Sequence, residues 1–386
     1  MKIALICPDS LPCPPIQSGA IELLIDRKAP YLADLGFEVT IISIQSPLLE
    51  NIDWSQSVKF IRLPKSGYFQ EVLKYLELNA FDLIQVYNKP RWALSLKKQH
   101  PHTLIVLSLH NLVLGHGMAE QETNEIVLHV DQIVAVSKFV ANDVLKRCPM
   151  AKGKIMHAYT GEAPLSYTPH YTPQGQKTAA QMKEKLGIPK EFSVLLFVGR
   201  LHPKKGCHLV IQAMKKLMQH DKKIALVIVG SKWYGRLQDS EYIGELKEMA
   251  KLISEHIYFT NYLPIDEVPD YYTMSDIFVC ASQWQEPLAR VHYEAMAAGI
   301  PIVTTRRGGN AEIVLQGKNG YVIEAYNQAD AFAVAIRSLL INGKQRLEMG
   351  TVNRRLIEEK YNFQQYALKL SQLYQKIRSK QATLHR

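Results

Sequence analysis

The chain is poor in the features that mark export, membrane insertion and metal chemistry. Its five cysteines (Cys7, Cys13, Cys148, Cys207 and Cys280) are odd in number, scattered and without C-x-x-C spacing. That pattern excludes a disulfide framework and a structural zinc of the usual spacing, and a reducing, cytoplasmic location is expected. No apolar run reaches the ~18 residues of a membrane-spanning helix, and the first run, residues 3–7, stops at Pro8, too short for a signal-peptide core. Also missing are a D-x-D pair for a divalent metal, H-E-x-x-H, a G-x-G-x-x-G after the first strand, a Walker lysine loop and any repeat at solenoid period. Charge on a departing phosphate would therefore have to be met by fixed cations and helix N-termini.

What is present describes an ordinary globular chain with an anionic partner. Hydrophobic content of 47% with 21% charged residues is typical of a soluble domain, and 386 residues suit two cores better than one. The formal net charge of +10 favours nucleotide phosphates, an acidic acceptor, a lipid surface or nucleic acid. Nucleic acid is set aside, because the basic residues are spread out and carry no recognisable reader motif.

Short apolar runs alternate with amphipathic helical patterns, with strands expected at 2–7, 38–43, 59–62, 83–86, 104–107 and 132–136. This is the rhythm of a parallel, doubly wound α/β sheet. From 158 to 180 the pattern gives way to Pro, Thr, Tyr, Gln and Gly, and Pro164, Pro169 and Pro173 oppose regular pairing. Residues 161–180 are read as the connection between a first domain, 1–160, and a second, 181–361. The second series of strands is expected at 194–198, 225–229, 257–260, 277–280, 302–304 and 321–323, and the tail after Tyr361 as a helix.

The densest segment is 282–301, which sets Glu286 and Glu294 eight positions apart behind the apolar run 276–280. Pro287 suits a first helical position, and Leu288, Val291 and Ala295 recur at helical spacing, which predicts a helix over 287–298 with Glu286 at its mouth. On a continuous helix Glu294 lies roughly 12 Å along the axis from Glu286. Two carboxylates flanking one glycosidic bond stand about 5 to 9.5 Å apart, so this pair suits the two ends of one long ligand. The loop 281–285 then falls at the carboxyl end of a sheet, where open α/β folds bind ligands. Solvated helix positions are the plain alternative for both glutamates.

A second loop of the same layout runs from Gly199 through Arg200 to Lys205 and Gly206, with a helix expected over 207–220. Arg offers a planar fork to phosphate oxygens and Lys a mobile point charge. In the first half, a Pro-rich loop ends at Gly19 before a helix expected over 21–35, and His110 follows the strand 104–107. Gly19 allows close backbone approach and His110 a hydrogen bond to a sugar hydroxyl; each alone also reads as a turn or an ordinary histidine. The segment 89–98 mixes cations with apolar residues, either as a contact for an anionic surface or as an amphipathic helix packed on the sheet. Residues 230–236 combine Trp233 and Tyr234 with Lys232 and Arg236 after a strand, either as a lining of the ligand cleft or as a flexible loop.

These motifs in this order resemble the retaining glycosyltransferases of family 4 (GT4) with the GT-B fold. The likeness rests on Gly199-Arg200 to Lys205-Gly206, Asn261-Tyr262-Leu263-Pro264, the E-x7-E pair, Glu294 to Val303, Gly308-Gly309 to Glu312 and Asn319-Gly320. The stretches 231–233 and 282–294 are most similar to the spore coat protein SA subgroup. The resemblance implies two Rossmann-like parallel-sheet domains facing across a cleft, with a final helix, 362–386, packing back on the first.

It further implies that Arg200 and Lys205 bind the donor diphosphate, that Glu286 holds donor-sugar hydroxyls and that Glu294 binds the ribose. Gly19 would approach the diphosphate, His110 assist at the sugar, and Tyr262 and Leu263 flank the base, with Leu288, Ala289 and Arg290 completing the substrate loop. The donor is expected to be a nucleotide-diphosphate sugar, a UDP-sugar first, used as co-substrate with no cofactor and no metal; the acceptor is an unidentified hydroxyl. Pro287-Leu288-Ala289 stands where the family pattern is Pro-Phe-Gly, so Ala289 offers its N–H with an added methyl beside the sugar. Peripheral contact with a membrane or spore surface is a further expectation about partners, and a catalytically silent coat component and a nucleotide-sugar epimerase of the same fold are the competing readings.

Overall fold

The computed structural model of the chain describes residues 1–16, 19–231 and 241–384, and it divides into two compact units, Met1–Thr160 with Phe363–Arg386, and Gly161–Asn362.

The first unit is built on one sheet of β1 (Lys2–Ile6), β2 (Glu38–Ile44), β3 (Ile52–Ser55), β4 (Val58–Leu63), β5 (Leu83–Tyr87), β6 (Leu104–Leu109), β7 (Gln132–Ala135) and β8 (Ile155–His157). Their order is β3-β4-β2-β1-β5-β6-β7-β8, and every pairing is parallel except β3 with β4. Its crossovers include α1 (Ala20–Asp34), α2 (Tyr68–Leu78), α3 (Pro90–Gln99), α4 (Glu120–His129) and α5 (Lys138–Arg147). Strands covered on both faces read as unbroken apolar runs, and β5 and β6 are buried along their whole length.

Two strands escape the sequence reading. All four residues of β3 are exposed, so this antiparallel edge carries no apolar signal, and β8 is only three residues long. The segment 89–98 is the amphipathic alternative: α3 starts on Pro90 and buries Pro90, Ala93 and Leu96, while Arg91 and Lys98 pair with Glu122 and Glu125 of α4 and Lys97 with Asp131. Its cations are spent on its neighbours.

The second unit has β9 (Ser193–Val198), β10 (Ile224–Val229), β11 (Ile257–Asn261), β12 (Ile277–Cys280), β13 (Ile302–Thr305) and β14 (Gly320–Ile323) in the all-parallel order β11-β10-β9-β12-β13-β14. Counted within the unit this is 3-2-1-4-5-6, the Rossmann order, whose direction reverses between β9 and β12. Its helices are α6 (Pro173–Leu186), α7 (Cys207–Leu217), α8 (Glu241–Ala250), α9 (Val268–Met274), α10 (Val291–Ala297), α11 (Ala329–Leu340) and α12 (Gly343–Glu359).

The expected connection over 161–180 needs correction, because α6 begins inside it. Thr172 Oγ1 accepts from the Gly175 N–H at 3.1 Å, and Pro173 takes the first helical position, where its missing N–H costs nothing. The proline that looked like a breaker starts a helix.

The last helix, α13 (Phe363–Leu384), belongs to the first unit and packs on α1. Between them and β5 lies a buried polar cluster: Lys28 Nζ stands 3.5 Å from Gln85 Oε1 and 5.3 Å from the Tyr87 ring, and the Tyr374 hydroxyl donates to the same Gln85 oxygen. No helix among the described residues is long and apolar enough to cross a membrane.

Candidate functional site

The loops after β9 and β12 flank the point where the strand order reverses, the place at which open α/β sheets bind ligands. They are fastened to each other. The Gln283 N–H donates to the Lys204 carbonyl at 2.8 Å, and Gly206, at φ 73°, passes so close that a Cβ there would lie 2.0 Å from the Ala281 carbonyl oxygen. Only glycine fits that crossing.

The centre of this arrangement is the Glu286 carboxylate. Its Oε2 receives Lys205 Nζ at 2.6 Å, Trp284 Nε1 at 2.7 Å and Ser282 Oγ at 3.0 Å. Its Oε1 accepts no hydrogen bond from the described residues. Lys205 also lies 5.6 Å from the Trp284 ring centroid, which keeps the ammonium between an anion and an aromatic face. Arg200 sits just past Gly199 and, among the described residues, its guanidinium makes no hydrogen bond or ion pair.

The backbone of Glu286 is held from a third loop. Its carbonyl accepts from the Gly309 N–H at 2.8 Å, and Gly308, at φ 60°, packs so tightly that a Cβ would come within 1.9 Å of that oxygen. The Ala289 N–H donates to Asn310 Oδ1 at 3.2 Å. These bonds explain a correction: the helix expected over 287–298 is α10, Val291–Ala297, because the peptide groups around 286–289 are tied to the 308–310 loop. Glu286 therefore lies in a loop, four residues ahead of the N-cap Arg290, and the 12 Å rise along one helix does not apply.

Two further expectations change. The Ala289 N–H is not offered outward but is used by Asn310. Arg290 turns its guanidinium onto Glu162, with its other terminal nitrogen 3.5 Å from the Gly161 carbonyl, an interaction inside the second unit. Leu288 is buried and Ala289 partly so.

Glu294 is on α10, and its Oε2 accepts from the Tyr272 hydroxyl at 2.8 Å. Burial pushes its carboxyl above the ordinary value, and the nearby Arg290 charge opposes that. Tyr262 and Leu263 follow β11, two strands from β9, both partly buried. Burial raises the Tyr262 hydroxyl.

Gly19 and His110 belong to the first unit. Gly19 is the N-cap of α1 in an extended conformation, and a Cβ there would meet Glu22 Oε2 at 2.6 Å. The His110 N–H donates to Asn88 Oδ1 at 2.7 Å, and its ring stacks on Tyr87 at 5.7 Å. Asn88 follows β5 with φ 54°, a left-handed conformation that asparagine tolerates, and its side chain also accepts from the Asn111 N–H. Most of the segment 230–236 lies outside the described residues.

Sequence reading overlooked Asn88, Tyr272, Glu162, Asn310 and His292. Asn310 follows the Gly308-Gly309 motif and had a signal; Tyr272 and Glu162 meet their partners from 22 and 128 residues away and had none.

A parallel sheet in Rossmann order with an acidic and a basic loop joined at its switch point defines the class of the second unit. The chain belongs to the group 1 and family 4 glycosyltransferases: the family described as "Glycosyl transferases group 1" matches residues 179–356, and "Glycosyltransferase Family 4" matches residues 21–161. It is 38% identical over 379 residues to spore coat protein SA of Bacillus subtilis strain 168, covering 98% of this chain and 100% of that one. It is also 38% identical over 378 residues to the putative glycosyltransferase YtcC of the same organism, covering 98% and 92%. Among solved structures, Anabaena HepE in complex with UDP-glucose matches with a TM-score of 0.77 at 18% identity, covering 97% of this chain and 100% of that one, which is a likeness of fold. The fold is of the GT-B class.

Proposed function

We propose that the chain transfers a sugar from a nucleotide-diphosphate sugar, a UDP-sugar first, to a hydroxyl acceptor, with retention of anomeric configuration and without a metal. The observation that carries this reading is the asymmetry of Glu286. Three donors saturate Oε2 and fix the carboxylate in one orientation, which leaves Oε1 as an acceptor-only group for a donor-sugar hydroxyl. Lys205 and Arg200, on the neighbouring loop, supply positive charge for the diphosphate as it departs. Glu294 stands on the helix after the same loop, and its Oε1 is the oxygen assigned to the ribose.

Trp284 and Ser282 act through Glu286 and are positioning residues. Leu288 and Ala289 shape the wall beside the sugar. Arg290 holds Glu162. In the first unit, Gly19 and His110 are the residues to test.

The biological setting that fits the relatives' names is glycosylation of the spore coat, cell envelope or a polysaccharide, with peripheral contact to such a surface. The deciding experiment incubates purified protein with UDP-, GDP-, ADP- and TDP-sugars and follows donor hydrolysis and transfer, beside Glu286→Ala. Turnover by the wild type that Glu286→Ala abolishes supports transfer. Activity in neither protein supports a silent coat component, and isomerised donor without acceptor supports an epimerase.

A further inference from the structure

We propose that His292 is a positioning residue that holds the 286–290 loop from beneath in the shape that presents Glu286 to the donor. The inference rests on the sugar-transfer reading of that loop, and it concerns how the loop is kept in place. His292 is fully buried on α10, where an aliphatic side chain would fill the space without polar atoms. Instead its Nδ1 meets the Ala289 carbonyl at 2.9 Å and its Nε2 meets Thr304 Oγ1, on β13, at 2.8 Å. A carbonyl only accepts, so Nδ1 carries a proton and donates.

The other side of the same residue is held as well. The Ala289 N–H donates to Asn310 Oδ1, and Asn310 Nδ2 lies 3.9 Å from the Cys280 sulfur. That sulfur is 3.7 Å from Ser282 Oγ, which donates to Glu286 Oε2. One continuous polar network therefore runs from the Glu286 carboxylate through Ser282, Cys280 and Asn310 to Ala289, and on through His292 to the sheet. Burial pushes the Cys280 thiol up, but the neighbouring imidazole brings it below the ordinary thiol value; burial lowers the imidazole, and the sulfur and the Ala289 carbonyl lift it above its ordinary value.

A buried network of this kind is costly unless complete, and when complete it specifies one conformation. Ala289 stands where the family pattern has glycine, and its two peptide groups are each tied to a different element. His292 touches peptide and sheet and never the reacting atoms.

The test compares wild type with His292→Leu, His292→Asn and Thr304→Val. Readouts are donor kinetics, UDP binding, thermal melting, and amide hydrogen exchange across 284–293 with no donor present. In His292→Leu, loss of one buried hydrogen bond to the loop should raise donor KM about tenfold and change UDP affinity less than about threefold. Exchange of the 286–290 amides should rise. His292→Asn keeps an N–H in the place of Nδ1 and should restore most of the donor KM; Thr304→Val, which unseats Nε2, should fall between.

Equal donor KM and equal loop exchange in His292→Leu and wild type would overturn the proposal, as would an Asn variant that folds but is as impaired as Leu. If His292→Leu fails to fold, Asn and Thr304→Val decide alone. If wild type turns over no nucleotide sugar, sugar transfer fails, and unchanged loop exchange separately sinks the role of His292.

Discussion

Lys205 and Glu286 lie 81 residues apart in the chain and meet at 2.6 Å where the second sheet reverses direction. The pair is largely buried, with the carboxylate side chain only 9% exposed, so the two charges depend on each other.

Removing either partner should therefore damage function and fold together. Lys205→Met and Glu286→Gln are each expected to lower kcat/KM by about 10²–10³, the scale of one lost electrostatic contact in a transition state. The double variant should lose less than the product of the two, because each change already breaks the same interaction. A double-mutant cycle on steady-state rates checks this; strict additivity would show that the pair does not act as a unit.

Gly308 supports the Glu286 backbone at a distance no side chain permits. With φ at 60° and a Cβ projected 1.9 Å from the Glu286 carbonyl oxygen, Gly308→Ala must displace the loop. The left-handed backbone alone costs about 1–2 kcal/mol. Urea denaturation should show at least that loss, and donor binding should weaken with it.

Arg290 and Glu162 form a buried ion pair inside the second unit. Deleting one member leaves the other charged and uncompensated, so Arg290→Ala should destabilise the protein by about 3–5 kcal/mol. The change should appear as a lower melting temperature. A variant that melts like wild type would mean that Glu162 finds water.

Two groups on α1 set a pH dependence of opposite signs. Burial brings the Lys28 amine from 10.5 down to about 7 and lifts the Glu22 carboxyl from 4.5 to about 7. Between pH 7 and 10.5 the unfolded chain holds the Lys28 proton that the folded chain has released, so this contribution rises with pH. Between 4.5 and 7 the folded chain holds the Glu22 proton that the unfolded chain has lost, so that contribution falls with pH. Together they place a minimum near pH 7, with slopes of at most about 1.4 kcal/mol per pH unit on either side. Denaturation midpoints from pH 5 to 10 should show the dip in wild type, and Lys28→Met with Glu22→Gln should flatten it.

The strands were legible because their signal is local. Buried parallel strands such as β5, β6, β9 and β10 are short apolar runs between polar turns, and such runs can be read without knowing their neighbours. The loops of the site were legible for the same reason: Gly199 to Gly206 and Ser282 to Glu294 each directly follow a strand. Where burial is absent the reading failed, as at β3, whose four residues all face solvent. It failed also at Pro173, since a proline that begins a helix and one that breaks a pattern look alike until the capping Thr172 is seen in place.

By itself, then, the sequence determined twelve of the fourteen strands among the described residues, the two α/β series and which loops carry the acidic and basic residues. Only tertiary structure decided what those residues touch. Trp284 and Ser282 share one oxygen of Glu286 with a lysine from another loop; Asn310 takes the Ala289 N–H and thereby delays α10 to Val291; Arg290 turns to Glu162. Periodicity records which face of an element is buried, whereas hydrogen-bond direction is set by partners brought from distant parts of the chain.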